Sequence, residues 1–177
     1  FRQMGNIDIS RMLGQHIKDV VEYGTRHLGF CLELYRTQLK DGMYCLHEHP
    51  AYARSWADVK VQRIMNTKDV RTVVGDMCAF GMKDRDHQGG ELLVKKPIGW
   101  KTNAMTLAER FEKDCSGDHR HVVLLGGGRA RRAQVYPDEL CKEIIIGLND
   151  QMYHDGRLSA GMIGAADRVD DINVNLD

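Results

Sequence analysis

Between Ile17 and Leu39 the apolar positions Ile17, Val20, Val21, Leu28, Cys31, Leu32, Tyr35 and Leu39 return every three or four residues. That spacing is the stripe of an amphipathic helix, and Asp41-Gly42 supplies its stop. The run MYCLHE (43–48) follows at once, short and mostly apolar, and after a long helix it predicts a buried strand of an α/β unit. ADVKVQRIMN (57–66) predicts a short helix, and the β-branched run VRTVVGD (70–76) a second strand.

The polar, glycine-bearing stretch 81–91 reads as a loop. LLVKKP (92–97) starts a strand that Pro97 ends or pushes to a sheet edge. NAMTLAERFEK (103–113) predicts a helix capped by Asn103. A long loop over 114–132 then leads to the helix PDELCKEIIIGLNDQM (137–152), with Pro137 in its first turn and acids close behind. After Tyr153 the pattern fades into polar, acidic chain. The organisation predicted is one α/β domain over 1–152 and a polar tail or linker over 153–177.

Composition narrows the picture. The chain has 177 residues, 42% apolar and 28% charged, which is enough for one ordinary core. Lysines and arginines balance the acids at 25 each, so any attraction to nucleic acid must come from a local patch. Five widely scattered cysteines make no disulfide framework and point to a reducing, intracellular compartment, cytoplasmic or nuclear. No apolar run approaches a membrane span. The chain begins at Phe1 with no initiator methionine, so a piece of something longer is expected.

Candidate chemistry gathers where strands are expected to stop. In an open α/β sheet, ligand-binding side chains sit just past the carboxyl ends of strands. Pro50 would stop the first strand and present His47, Glu48 and His49 at the rim. In KKPIGWKTN (95–103), Lys95, Lys96 and Lys101 surround Trp100, a set that could meet phosphates and stack on a base; a lysine-rich strand edge is the plainer alternative. GGGRARRAQ (126–134) resembles a phosphate cradle with Arg129, Arg131 and Arg132 as its charge, but lacks the Gly-Lys-Ser/Thr ending of a P-loop. Cys115, His119 and His121 form C-x3-H-x-H, three zinc-type ligands in seven residues, with a surface loop carrying chance histidines as the plainer alternative. A fourth must come from elsewhere, and Cys78, Cys141 and His87 are the candidates to approach in space.

Taken in order, HEHPAYARSW, DMCAFGM, KKPIGWKTNA and CSGDHRHVVLLGGGRARRAQVYPDELCKEI resemble a divergent branch of cytosine-carbon-five DNA methyltransferase-like domains. That branch occurs in phages and in copia-type retroelement polyproteins, notably of algae and dinoflagellates. The resemblance covers about Phe1 to Leu148 and implies a Rossmann-like, methyltransferase-type sheet flanked by helices. In that family a Glu-Asn-Val or Glu-Asn-Pro turn holds the Watson–Crick edge of an extruded cytosine, and Glu48-His49-Pro50 is similar to it, which implies the catalytic role for Glu48.

Other matches are partial. Phe80-Gly81 and Lys96-Pro97 resemble the family's Tyr-Gly-x-Pro-Gln-x-Arg segment without its glutamine and arginine, and AQVYPDELCKEI resembles its closing Asn-Ala-Val-Pro-Pro without the asparagine. FRQMGNID looks like the stretch that follows a Pro-Pro-Cys turn, so the cofactor loop and the nucleophile would belong to a missing N-terminal half. None of the five cysteines sits in a Pro-Cys turn, and without an attacking thiolate the transfer of a methyl group to carbon five has no first step. The resemblance therefore implies a DNA-binding half-domain, inactive by itself, that uses S-adenosylmethionine only when completed, has DNA and its own other half as partners, and touches no membrane. Two further readings stay open: a zinc-stabilised nucleic-acid-binding module on Cys115, His119 and His121, and a structural part of a polyprotein with no chemistry.

Overall fold

A computed structural model describes residues 14–124 and 128–159. The first reading of FRQMGNID, the centre of the glycine loop (125–127) and most of the tail (160–177) lie outside the described residues.

The predicted long helix is α1 (Gly14–Lys40), and the chain turns at Gly42 into β1 (Leu46–Pro50). A 3-10 turn at Arg54–Ala57 leads to α2 (Val59–Met65), where the Asp58 carboxylate accepts the Lys60 and Val61 N–H groups at the cap. Then β2 (Arg71–Asp76) runs into a second 3-10 turn at Met77–Phe80. β3 (Lys83–Arg85) and β4 (Glu91–Leu93) make an antiparallel hairpin that begins in the stretch read as loop and ends in the first residues of the strand expected from Leu92. The remaining elements are β5 (Pro97–Thr102), α3 (Met105–Phe111), α4 (Arg129–Arg132) and α5 (Asp138–His154).

The architecture is mixed α/β with small antiparallel sheets. The main sheet has the order β1-β5-β2, and β5 runs antiparallel to both neighbours. β1 and β2 therefore point the same way and are joined by a helical crossover, as in a parallel α/β unit, but β5 is inserted between them. This explains why the helix, strand, helix, strand order is real while the parallel ladder it suggests is replaced by antiparallel pairing. The segment PIGWKT, taken as a lysine-edged rim, is the central strand, with Ile98 to Thr102 buried. Pro97 is tolerated because it is the strand's first residue.

Pro50 has the same kind of explanation. β1 is an edge strand, where a missing N–H breaks no ladder, so Pro50 ends β1 from within and His47, Glu48 and His49 lie inside the strand. Asn103 is not the cap of α3. Ala104 holds that position, and the Asn103 amide instead accepts the Cys45 N–H (2.8 Å) and donates to the Met43 carbonyl (3.0 Å), tying β5 to the entry of β1.

Each face of the sheet carries its own core. On one, Val73, Ile98 and Trp100 pack with Leu107 and Phe111 of α3 and Leu140 of α5. Arg110 and Lys113 reach across to Glu143 at 2.7 and 2.5 Å and lock α3 to α5. The other face meets α1 and α2 through Leu32, Val61 and Met65. Here Trp56 lies flat over Gly99, where an added Cβ would stand 2.9 Å from the ring, and its indole N–H donates to the Pro50 carbonyl at 2.8 Å. Among the described residues no helix is long and apolar enough to cross a membrane.

His47 and His49 are buried on this second face, stacked on each other and edge-on to Trp56. Burial lowers the His47 imidazole to about 4, with the neighbouring His49 and Lys101 charges acting the same way. The unfolded chain therefore binds a proton near pH 6.5 that the folded chain refuses, so stability is fully present above that pH and is lost as pH falls from 6.5 toward 4. The site's share is roughly 3 kcal/mol at its limit. Imidazole proton NMR shifts are expected to show His47 neutral down to below pH 5; titration near 6.5 would contradict its burial.

Candidate metal centre

The second 3-10 turn and the segment after α3 are brought together by the sheet. Asp76, the last residue of β2, accepts the Cys115 backbone N–H at 3.1 Å, and its own N–H donates to the Lys113 carbonyl at 2.9 Å. Further on, Val122 N–H donates to the Leu93 carbonyl (2.9 Å) and His121 forms a parallel bridge with Leu93 of β4. The loop 114–122 is thus pinned at both ends, one beside the 3-10 turn that carries Cys78 and the other on the hairpin.

The result is a convergence of Cys78, Cys115, His119 and His121, whose ligand atoms all lie within 4.8 Å of one another. The Cys115 sulfur is 3.6 Å from His119 Nε2 and 3.4 Å from His121 Nε2, so both rings turn the same nitrogen inward. The rings meet edge to face with centroids 4.6 Å apart. Cys78 is buried while the other three are half-buried. Burial, followed by its hydrogen bond to Cys115 and the charges of Cys115 and Asp76, pushes the Cys78 thiol up to about 11.

The surrounding groups are those a metal site uses to orient its ligands. His119 Nδ1 is 2.8 Å from the Asp118 carboxylate, which also accepts the Ser116 hydroxyl at 2.5 Å. This carboxylate–histidine arrangement fixes the tautomer that leaves Nε2 free for a metal. Gly117, in the left-handed region at φ 76°, turns its N–H onto the Cys115 sulfur at 3.4 Å, a hydrogen bond that favours thiolate. Two sulfurs and two imidazoles suit tetrahedral zinc, which spaces its ligand atoms about 3.3 to 3.8 Å apart. Only a small contraction separates the four atoms from that spacing. A set of four protein ligands fills the sphere, which is the form of a structural and not a catalytic zinc site.

Cys115, His119 and His121 are therefore brought together as their spacing suggests, and of the three candidates for a fourth ligand it is Cys78 that joins them. Cys141 is exposed on α5 and His87 sits beside Arg129 at 3.2 Å. Spacing alone could not choose Cys78 over the other two, because it stands 37 positions before Cys115; Asp76, two residues from Cys78, grips the Cys115 backbone with its carboxylate and closes that gap.

The other expected site residues divide. Trp100 has 1% of its surface exposed and stacks on Phe111 at 4.4 Å, so neither ring face is open to a base. Lys101 alternates to the opposite face of β5, buried, with its ammonium donating to Asn66 Oδ1 (2.8 Å) and the Met65 carbonyl (3.4 Å). His49 is buried against Trp56 and not at a rim. Lys96 donates to the Ala133 carbonyl at 2.8 Å, and Arg129 is buried with its guanidinium on the Arg85 carbonyl. These cations hold the fold together instead of facing a phosphate. Lys95 is half-exposed beside Asp76 (3.5 Å), Arg132 forks onto Asp84 at 3.0 and 3.1 Å, and Arg131 is exposed.

Glu48 lies mid-strand, opposite Trp100 in register and half-buried, with the Tyr136 hydroxyl beside its carboxylate. Burial and then the Glu48 charge raise the Tyr136 hydroxyl above its ordinary value. The Lys96 ammonium lies within electrostatic reach of the same carboxylate, which partly offsets the lowering that burial imposes on it. No protein-family model, curated protein or solved structure matches the chain.

Proposed function

We propose that this chain is a zinc-fastened nucleic-acid-binding module. The observation that carries the reading is the closure of four ligands, Cys78, Cys115, His119 and His121, around one point. Zinc there would clamp the end of β2, the β3–β4 hairpin and the loop 114–122 into one lobe, supplying folding energy to short elements with little apolar area of their own. That lobe also takes in α4, because Arg129 reaches the hairpin at Arg85 and Arg132 reaches it at Asp84.

Charge supports the partner. The stretches 76–96 and 113–133 hold nine lysines and arginines against six acids, in a chain whose totals balance. Arg85, Lys95, Arg120 and Arg131 are exposed or half-exposed on this lobe. Such a patch favours DNA through phosphate contacts and counterion release. Fluorescence anisotropy with a labelled DNA duplex is expected to show binding that weakens steeply with salt. Reversing Arg120 and Arg131 to Glu should lower the slope of log K against log salt by about 2. No binding by zinc-loaded protein at low salt would sink the nucleic-acid half of the reading.

The nearness of Glu48 and Lys96 favours a second reading, which follows the resemblance to cytosine methyltransferase-like domains of phages and retroelements. In it, the antiparallel sheet is part of a Rossmann-like domain whose cofactor half lies elsewhere, and Glu48 exchanges the Tyr136 hydroxyl for the edge of a flipped cytosine. Glu48→Gln would then weaken binding to DNA carrying an unpaired cytosine, whereas a purely zinc-fastened binding module would show no change.

A further inference from the structure

We propose that α1 pairs antiparallel with the α1 of a second copy of this chain. One side of α1 is accounted for: Leu28, Leu32 and Tyr35 pack on Val61 and Met65 of α2. On another side lies a second seam, with Val20, Tyr23, Phe30 and Leu34 as its apolar members and His27 and Thr37 between and after them, spaced alternately three and four. That is the a/d spacing of a coiled coil, sustained along a helix of 27 residues, or about 40 Å. Its large members face water in the single chain, with Tyr23 65%, Phe30 61% and Leu34 48% exposed.

The charges beside the seam name the occupant. The positions just before Val20, His27, Leu34 and Asp41 hold Asp19, Arg26, Glu33 and Lys40 in turn. In an antiparallel pair these positions face one another across the seam. Asp19 then meets Lys40 of the copy, and Arg26 meets its Glu33, so all four contacts are between opposite charges. In the same register Leu34 layers against Tyr23 of the copy and Phe30 against its His27. A parallel pair would instead set these charges against Gly24, Cys31 and Gln38, which carry none. Among the described residues of one chain, Arg26 and Glu33 form ion pairs with exposed helical neighbours, Glu22 at 3.6 Å and Arg36 at 2.6 Å; contacts of that kind are weak and readily shared.

Sedimentation velocity over a concentration series tests this, with melting temperature as a check that each variant remains folded, since these side chains are solvent-facing. The wild type is expected to be in monomer–dimer exchange and Phe30→Glu to be a monomer throughout. Arg26→Glu alone should raise the dimer dissociation constant roughly tenfold, because each dimer acquires two repulsive contacts. Adding Glu33→Arg should bring the constant back to within about twofold of the wild type. A wild type that stays monomeric, association that ignores Phe30→Glu, or a double variant no better than the single would overturn the proposal.

Discussion

Stripping zinc from the purified protein with a chelator is expected to lower its melting temperature by on the order of 10 °C, and added zinc to restore it. A ligand that binds only the folded state stabilises by about 4 kcal/mol at a thousandfold excess over its Kd, and for a domain of this size each kcal/mol is worth roughly 2 to 4 °C. Cys115→Ser and His121→Ala should each abolish stoichiometric zinc and leave a melting temperature that no longer responds to the metal. Cys141→Ser should keep both properties, because that thiol is exposed on α5, apart from the cluster. The loss should be local first. Loop 114–122 is anchored mainly through Asp76, Leu93 and the ligands themselves, so its amides should exchange fastest in the metal-free protein.

Trp100→Ala is expected to cost about 3 to 5 kcal/mol, the usual range for emptying a large aromatic site in a core. Trp100 fills the central strand's contact with α3, stacked on Phe111 and opposite Val73 of β2. Its removal opens a cavity that the rigid strand on one side and α3 on the other can only partly close. Trp100→Phe should cost much less, since it keeps the stacking and the indole N–H has no hydrogen-bond partner among the described residues. Urea unfolding followed by circular dichroism gives both numbers. If Trp100 were instead a base-stacking platform on the surface, alanine there would leave stability nearly unchanged and weaken only DNA binding.

The helices α1, α2 and α5 and the strand β2 were legible because each rests on local periodicity, on a first turn such as Pro137 with its acids, or on a β-branched run. β5 was not. Lysines at 95, 96 and 101 make PIGWKT look like a solvated rim, yet Lys101 is held by the Met65 carbonyl and the Asn66 amide oxygen at the end of α2, 36 and 35 residues earlier. No local pattern reports such a partner. The same is true of Pro50, whose meaning depends on β1 lying at the edge of the sheet, and of Asn103, whose amide serves a strand entry 58 residues away. Three of the four candidate metal ligands were visible as one short motif, because loop residues that converge on one point cluster in sequence. Cys78 is supplied by the sheet, and only the pairing of β2 with β5 and the grip of Asp76 on Cys115 bring it within range.

The central claim is that two thiolates and two imidazoles from these four residues close around one zinc ion. Zinc K-edge X-ray absorption of the metal-loaded protein measures this directly. The account predicts two sulfur neighbours at about 2.3 Å and two nitrogens at about 2.0 Å, with one sulfur lost in Cys78→Ser. A first shell of oxygen and nitrogen alone, or a spectrum unchanged by Cys78→Ser, would contradict it.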